Sequence, residues 1–306
     1  MLSSVGDDNG HEGEQSPMLP SSFEYHRPTT IDEVLDLLAS LGDDAKVLAG
    51  GQSLIPMMKL RFAAPEHLVD INRIDGLDGI EEVDGELHIG ALVRHNQLVG
   101  SELIRSKYPM IAAAAPQIAD PVVRNLGTIG GSLAHCDPSG DLGAVMLAAN
   151  ARVVLKSKDA EREVPVTEFL ASTFQSSIEP NELLTTIKVT SPSGSYGGTY
   201  LKLERKIGDY ATVAVAARLL LHNGSIKTAG IGLTSVGLTN IKATAAEDAL
   251  EGQAPSQELF AEAGRLAAGA SSPASDVRGS EAYKRHMVEV FVRRGLTTAA
   301  EMAGAA

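Results

Sequence analysis

Tryptophan is absent from this 306-residue chain, aromatic residues make up only 4%, and cysteine occurs once, at Cys136. A single thiol excludes an internal disulfide. It also excludes an iron–sulfur cluster or a cysteine-built zinc site made by this chain alone, because each needs several thiolates; a reducing compartment fits best. No uncharged apolar run reaches the roughly 18 residues of a membrane span; the longest candidate, Val213 to Leu221, is interrupted by Arg218. The N-terminus has no basic stretch followed by an apolar core, so nothing reads as an export signal and a cytoplasmic protein is expected. Cations are in short supply too. With 26 basic against 39 acidic residues the net charge is -13, which repels a phosphate backbone, and no basic patch is interleaved with aromatics; nucleic acid is not an expected partner. Finally, Gly-x-Gly-x-x-Gly and the P-loop signature are both missing. The nearest approach, Gly230-Ile-Gly232 with Gly237, lies inside a strand pattern with no helix behind it.

What remains is an ordinary globular composition, 43% hydrophobic and 21% charged, at a length that suggests two domains. Residues 1–21 are rich in Gly, Ser, Asp, Glu and Pro and read as a disordered acidic tail. Thr30 and Glu33 form a capping box ahead of an apolar stripe at Ile31, Val34, Leu35 and Leu38, and Gly42 ends that helix. Asp84-Gly85 between two alternating segments marks a two-residue hairpin. Helices are expected at about 94–103 and 107–118, and a buried one at Leu142 to Asn150. Ser191 to Ser195 is the best linker. Beyond it come three long strands, Thr199–Arg205, Thr212–His222 and Ser225–Val236, then helices near 243–251, 256–271 and 281–294. Strands followed by helices indicate α+β, with domains at 22–190 and 196–295.

Two glycine segments stand out, Leu48-Ala49-Gly50-Gly51-Gln52-Ser53-Leu54 and Thr128-Ile129-Gly130-Gly131-Ser132 followed by the turn-forming set Asp137 to Asp141. Glycine reaches φ > 0 and carries no Cβ, so a ligand can approach the main-chain N–H groups closely. Consecutive amides then form an anion-binding nest without help from a helix dipole. On this reading both segments are loops, neither helix nor strand, converging on one nucleotide diphosphate. Gly130→Asp is accordingly expected to abolish cofactor binding while leaving the fold intact.

His135-Cys136-Asp137 suggests a metal site or a nucleophile with its base, but neighbours in sequence do not readily converge on one ion or form a catalytic pair. No other His and carboxylate cluster has metal-ligand spacing, so no metal site is expected. The turn Arg205-Lys206-Ile207-Gly208-Asp209-Tyr210 reads either as a solvated loop or as a support on which Tyr210 stacks against a planar ring.

Four stretches together resemble a known family: Ala-Gly-Gly-Gln-Ser-Leu-Ile-Pro at 49–56, Thr-Ile-Gly-Gly-Ser at 128–132, Asp-Pro-Ser-Gly-Asp at 137–141 and Arg-Lys-Ile-Gly-Asp-Tyr-Ala at 205–211. They are similar to the FAD-binding medium subunits of molybdenum hydroxylases, the xanthine dehydrogenase family. Within it, Phe23-Glu-Tyr-His-Arg-Pro and Met57-Met58-Lys59 bring the chain nearest to aerobic carbon monoxide dehydrogenases. The resemblance covers about residues 22–295. It implies a two-part FAD-binding domain of the vanillyl-alcohol-oxidase (PCMH) type plus a small C-terminal α+β domain. It implies FAD in this chain, [2Fe–2S] clusters in a small partner subunit, molybdopterin cytosine dinucleotide in a large one, and a dimer of such heterotrimers. Electrons would pass to quinone or another membrane-associated acceptor, with the complex at the inner face of the membrane as an open option. Carried over by position, Ala49, Gly50, Gly51, Gln52 and Ser53, with Leu54, and Thr128, Ile129, Gly130, Gly131 and Ser132 hold the diphosphate and face the ring. Asp141 bonds to ribityl or ribose hydroxyls, Lys202 lies near the flavin and Tyr210 covers it; Asp137 and Leu184 complete the expected set. No catalytic residue is expected here, since substrate chemistry belongs to a partner. The rival readings are another molybdenum hydroxylase acting on a heterocycle, aldehyde or purine, a stand-alone flavin reductase, and a flavin-free assembly subunit.

Overall fold

The computed structural model describes residues 19–305. The expected disordered tail therefore lies, up to residue 18, outside the described residues. The first unit is a small parallel sheet of β1 (Glu24–His26), β2 (Ala45–Leu48) and β3 (His67–Asp70), in the order β1-β3-β2, with α1 (Ile31–Leu41) and α2 (Leu54–Lys59). The capping box is present: Thr30 Oγ1 accepts from the Glu33 amide at 3.2 Å while the Glu33 carboxylate accepts from the Thr30 amide at 3.2 Å. Val34, Leu35 and Leu38 then bury against Ala45, Val69 and Ile71, the period-3.6 stripe meeting one face of the sheet.

β4 (Ile80–Val83) and β5 (Glu86–Gly90) form the hairpin, with Asp84 at φ 51° and Gly85 at φ 82°. Positive φ at both turn residues is what a type I′ connection requires. A helical run follows, broken into α3 (His95–Gly100), α4 (Glu102–Lys107) and α5 (Pro109–Ala114), then α6 (Pro121–Leu126), α7 (Ile129–His135) and α8 (Asp141–Ala148). The two longer helices expected here are thus three short ones. Ser101 caps α4 through a hydrogen bond from the Ile104 amide, and Pro109 begins α5 where its missing N–H costs nothing. The chain then adds β6 (Arg152–Lys156), β7 (Glu161–Pro165), α9 (Val166–Phe169), the short pair β8 (Leu170–Ser172) and β9 (Gln175–Ser176), and β10 (Leu183–Thr190), completing an antiparallel sheet in the order β4-β5-β10-β6-β7.

The last part is α+β. β11 (Ser195–Leu203), β12 (Val213–His222), β13 (Ser225–Thr234) and β14 (Ile241–Lys242) form an antiparallel sheet in sequence order, and α10 (Thr244–Leu250), α11 (Gln257–Ala270) and α12 (Glu281–Met302) follow. β12 divides its side chains between two cores. Val213, Val215, Ala217 and Leu219 bury under α10, α11 and α12, whereas Ala214 and Ala216 belong to the core around α5 and α8. Residues of α8 are buried throughout. Glycine makes this contact: a Cβ on Gly230 would lie 2.0 Å from Ala148 O, and one on Gly232 would lie 1.9 Å from Ala144 O. The Gly230-Ile-Gly232 pair therefore serves close packing of α8 on β13. Among the described residues no helix is long and apolar enough to cross a membrane.

Replacing Gly232 by Ala is expected to destabilise the chain by about 3 kcal/mol, the scale of overpacking in a tight core. Chemical denaturation of the two proteins checks this; an unchanged midpoint would remove the packing role.

Candidate functional site

The glycine segments are each joined to a helix start. Ser53 precedes α2 and Thr128 caps α7, Thr128 Oγ1 accepting from the Gly131 amide at 3.1 Å. The expectation that both are plain loops is corrected here. Ile129, Gly130 and Gly131 lie inside α7, because a threonine N-cap followed by small residues is a legitimate helix start despite two glycines.

The two segments differ in what their amides do. In the second, the N–H of Ile129 donates to Val93 O and that of Gly130 to Ala91 O, both at 3.0 Å, Gly131 donates to Thr128 Oγ1, and Ser132 donates to Thr128 O at 3.0 Å. Four consecutive amides are spent within the protein, so this segment is not the nest expected of it. In the first, among the described residues, the N–H groups of Gly50, Gly51, Gln52, Ser53 and Leu54 make no hydrogen bond. Gly51 holds φ 71°, the left-handed geometry that turns successive amides toward one point. The Gln52 side chain folds back, Nε2 donating to Gly50 O at 3.2 Å. Each bond from such amides to a charged oxygen contributes about 1.5–3 kcal/mol. A row of unpaired donors at the start of a helix fits the diphosphate of FAD.

The segments do meet. A Cβ on Gly50 would lie 2.3 Å from Leu126 O and 2.7 Å from Gly127 Cα, and one on Gly131 would lie 3.8 Å from Ala49 Cβ. A clamp unseen in the sequence locks them. Arg94 donates through Nη1 to Leu126 O and through Nη2 to Asn72 Oδ1, and Asn72 Nδ2 donates to Ala49 O at 2.8 Å. Neighbouring His95 is buried against Gly127, and desolvation, with Arg124 and Arg94 nearby, lowers its pKa to about 4.

A second polar group gathers where α8 meets β11. Asp141, 8% exposed at the first position of α8, accepts from Tyr200 Oη at 2.5 Å and from Lys202 Nζ at 3.0 Å. Lys202 also donates to Gln117 O at 2.9 Å. Burial pushes the Asp141 carboxyl up while Lys202 opposes the shift, and burial beside this carboxylate raises Tyr200 well above its usual range. The turn before α8 is pinned by Asn240, whose Nδ2 donates to Gly140 O at 3.1 Å, and Asp137 Oδ1 accepts from the Ser139 amide at 2.8 Å.

Tyr210 is exposed, on a turn held from outside. Arg278 donates to both Asp209 oxygens, at 3.2 and 3.0 Å, and to Tyr210 O at 2.7 Å, while Gly208 at φ 84° rests on Ala119. Desolvation and the carboxylates of Asp137 and Asp141 raise the Tyr210 phenol, which puts its hydroxyl on their side. Leu184 lies buried in β10 as part of the core. Cys136 donates to Leu133 O and burial pushes its thiol up to about 12, the state of an inert core thiol.

The fold and this amide row suit a unit that holds an anionic cofactor such as a nucleotide diphosphate. The family described as FAD binding domain in molybdopterin dehydrogenase matches residues 21–192, and the CO dehydrogenase flavoprotein C-terminal domain matches residues 198–299. The chain belongs to this family of FAD-binding medium subunits of molybdenum hydroxylases, and is thus an oxidoreductase subunit and one chain of a multi-subunit enzyme. It is 43% identical to the carbon monoxide dehydrogenase medium chain of Afipia carboxidovorans, over 92% of this chain and 98% of that one. It is 40% identical to subunit alpha of the 6-hydroxypseudooxynicotine dehydrogenase complex of Paenarthrobacter nicotinovorans, over 92% and 96%. Among solved structures, a carbon monoxide dehydrogenase from Hydrogenophaga pseudoflava that lacks the Mo-pyranopterin moiety superposes with a TM-score of 0.90 at 44% identity, covering 93% of this chain and 99% of that one.

Two outcomes follow from the geometry. Gly130→Asp cannot be the clean probe expected of it, because a Cβ there would meet Ala91 Cβ at 2.6 Å and Ala91 O at 2.7 Å. Ser53→Asp is the better one: its carboxylate sits at the start of α2, satisfies the unpaired amides from within, and excludes a second anion. It is expected to match the thermal midpoint of the FAD-free parent chain and to lose FAD, read as the ratio of flavin to protein absorbance. The second concerns pH. His95 has a depressed folded pKa, so the unfolded chain takes up a proton below about 6.5 that the native state refuses. Its stabilising contribution is complete above pH 6.5 and is lost toward pH 4, by about 1.4 kcal/mol per pH unit. Denaturation between pH 7 and 4.5 is expected to show a shallower slope in His95→Gln.

Proposed function

We propose that this chain is the flavoprotein subunit of an aerobic molybdenum-containing carbon monoxide dehydrogenase. It relays electrons from [2Fe–2S] clusters of a small subunit to a respiratory quinone, after a large subunit bearing molybdopterin cytosine dinucleotide has oxidised the substrate. The assembly is a dimer of such heterotrimers in the cytoplasm, and its quinone acceptor brings it to the inner face of the membrane. The observation that carries this reading is near-complete coverage at 43% identity of a carbon monoxide dehydrogenase medium chain, together with a row of unpaired amides suited to a diphosphate.

FAD, when bound, accepts electrons singly and passes them on singly or in pairs. The chain's own residues do the rest. The amides from Gly50 to Leu54 receive the diphosphate, with Arg94 and Asn72 fixing Ala49 against the segment before α7. Thr128 to Ser132 form the facing wall beside Ala49. Tyr210, on its braced turn, would cover the ring, and the Lys202–Asp141 ion pair would supply polar groups toward the ribityl chain. No residue of this chain acts on the substrate.

The decisive experiment is to purify the native complex and add carbon monoxide without oxygen while recording the absorption spectrum. Bleaching of the flavin and iron–sulfur bands is the expected outcome. Unchanged bands in a complex with an intact molybdenum centre would transfer the chain to an enzyme of another substrate, an N-heterocycle or aldehyde.

A further inference from the structure

The edge of the first sheet brings together three residues that sequence spacing gave no reason to group. β1 and β3 run parallel with Glu24 opposite His67. Alternate residues of a strand share a face, so Glu24, His26 and His67 fall on one side of the sheet. Tyr25, between them, turns the other way and donates to Asp70. His26 Nε2 lies 3.1 Å from His67 Nδ1, and Glu24 Oε2 lies 3.5 Å from that same Nδ1. All three ligand-type atoms lie within 4.8 Å of one another.

These separations have a meaning in coordination geometry. A tetrahedral ion with bonds of about 2.0–2.1 Å to nitrogen and oxygen sets its ligand atoms about 3.3–3.4 Å apart, by the geometry of the tetrahedron. The two observed spacings fall on either side of that value. Two imidazoles and a carboxylate are a donor set for zinc, and they leave a fourth position for water. Each imidazole would coordinate through one nitrogen and keep the other for an outer partner. Glu24 is exposed, so closing the last few tenths of an ångström requires only a rotamer adjustment.

We propose that Glu24, His26 and His67 form a zinc-class divalent metal site that clips the edge strand β1 to β3. The ion bridges positions 41 residues apart in the chain, so it stabilises by binding the folded state and not the unfolded one. The site is independent of the flavin reading.

The test uses the full-length chain, stripped of metal by a chelator and titrated with zinc chloride in a calorimeter, with cobalt(II) as an optical reporter of tetrahedral coordination. One equivalent is expected to bind. His26→Ala or His67→Ala should weaken it roughly tenfold or more, with Glu24→Gln losing less. Zinc should raise the thermal midpoint of the parent chain and not that of His67→Ala, with flavin content equal in both as a check on folding. Retention of the same equivalent by the His26→Ala/His67→Ala variant would overturn the assignment, because the ion would then sit on others of the eight histidines. So would an absence of binding at about 100-fold the concentration at which structural zinc sites fill.

Discussion

The arrangement depends on how closely one buried helix approaches a sheet. α8 touches β13 main chain to main chain, through two glycines whose Cβ positions its carbonyls occupy. That contact joins the antiparallel unit to the C-terminal one and fixes where the helix begins. At its first residue stands Asp141, which would be costly to bury alone and is held by Tyr200 and Lys202 from β11. A helix N-terminus favours negative charge, so position and partners act in the same sense. The turn from Asp137 to Gly140 inherits its placement from this, with Asn240 tying it from the far side.

The first glycine segment obeys a different logic. Among the described residues its amides have no partner, although backbone donors normally find one. They are kept so by rigid surroundings, Arg94 and Asn72 above all, which set Ala49 and Leu126 in a fixed relation. Preorganised donors of this kind bind an anion with little reorganisation. The second segment contributes shape, its own amides being used to seat α7 on Val93 and Ala91.

Much of the fold could be read from the residues. The capping box at Thr30 and Glu33, the Asp84-Gly85 turn and the long strands after residue 195 all carry local signals; the first two stand where expected, whereas β11 runs from Ser195 to Leu203, starting ahead of the expected Thr199 and taking in the end of the expected linker. α7 was hidden because paired glycines argue against a helix, whereas the Thr128 cap and the tertiary seat on Ala91 outweigh that propensity. The site was legible in part. Glycine pairs flanked by hydroxyls indicate an anion without saying which pair has free donors, since that depends on strands distant in sequence. Arg94, Asn72, Tyr200 and Asn240 gave no signal, being single polar residues in unremarkable contexts. The same holds for His26 and His67, which only parallel strand pairing brings together.

β12 has a consequence for how the chain finds its one structure. Val213, Val215 and Leu219, with Ala217, face the side roofed by α10 to α12, whereas the small side chains of Ala214 and Ala216 face the side where α8 comes close. Sliding the strand by one residue would exchange the two sets, pushing branched side chains into a helix that leaves no room and opening voids under the other layer. Two independent mismatches thus penalise the same error. The strand acts as a double lock on register, tied at once to both cores.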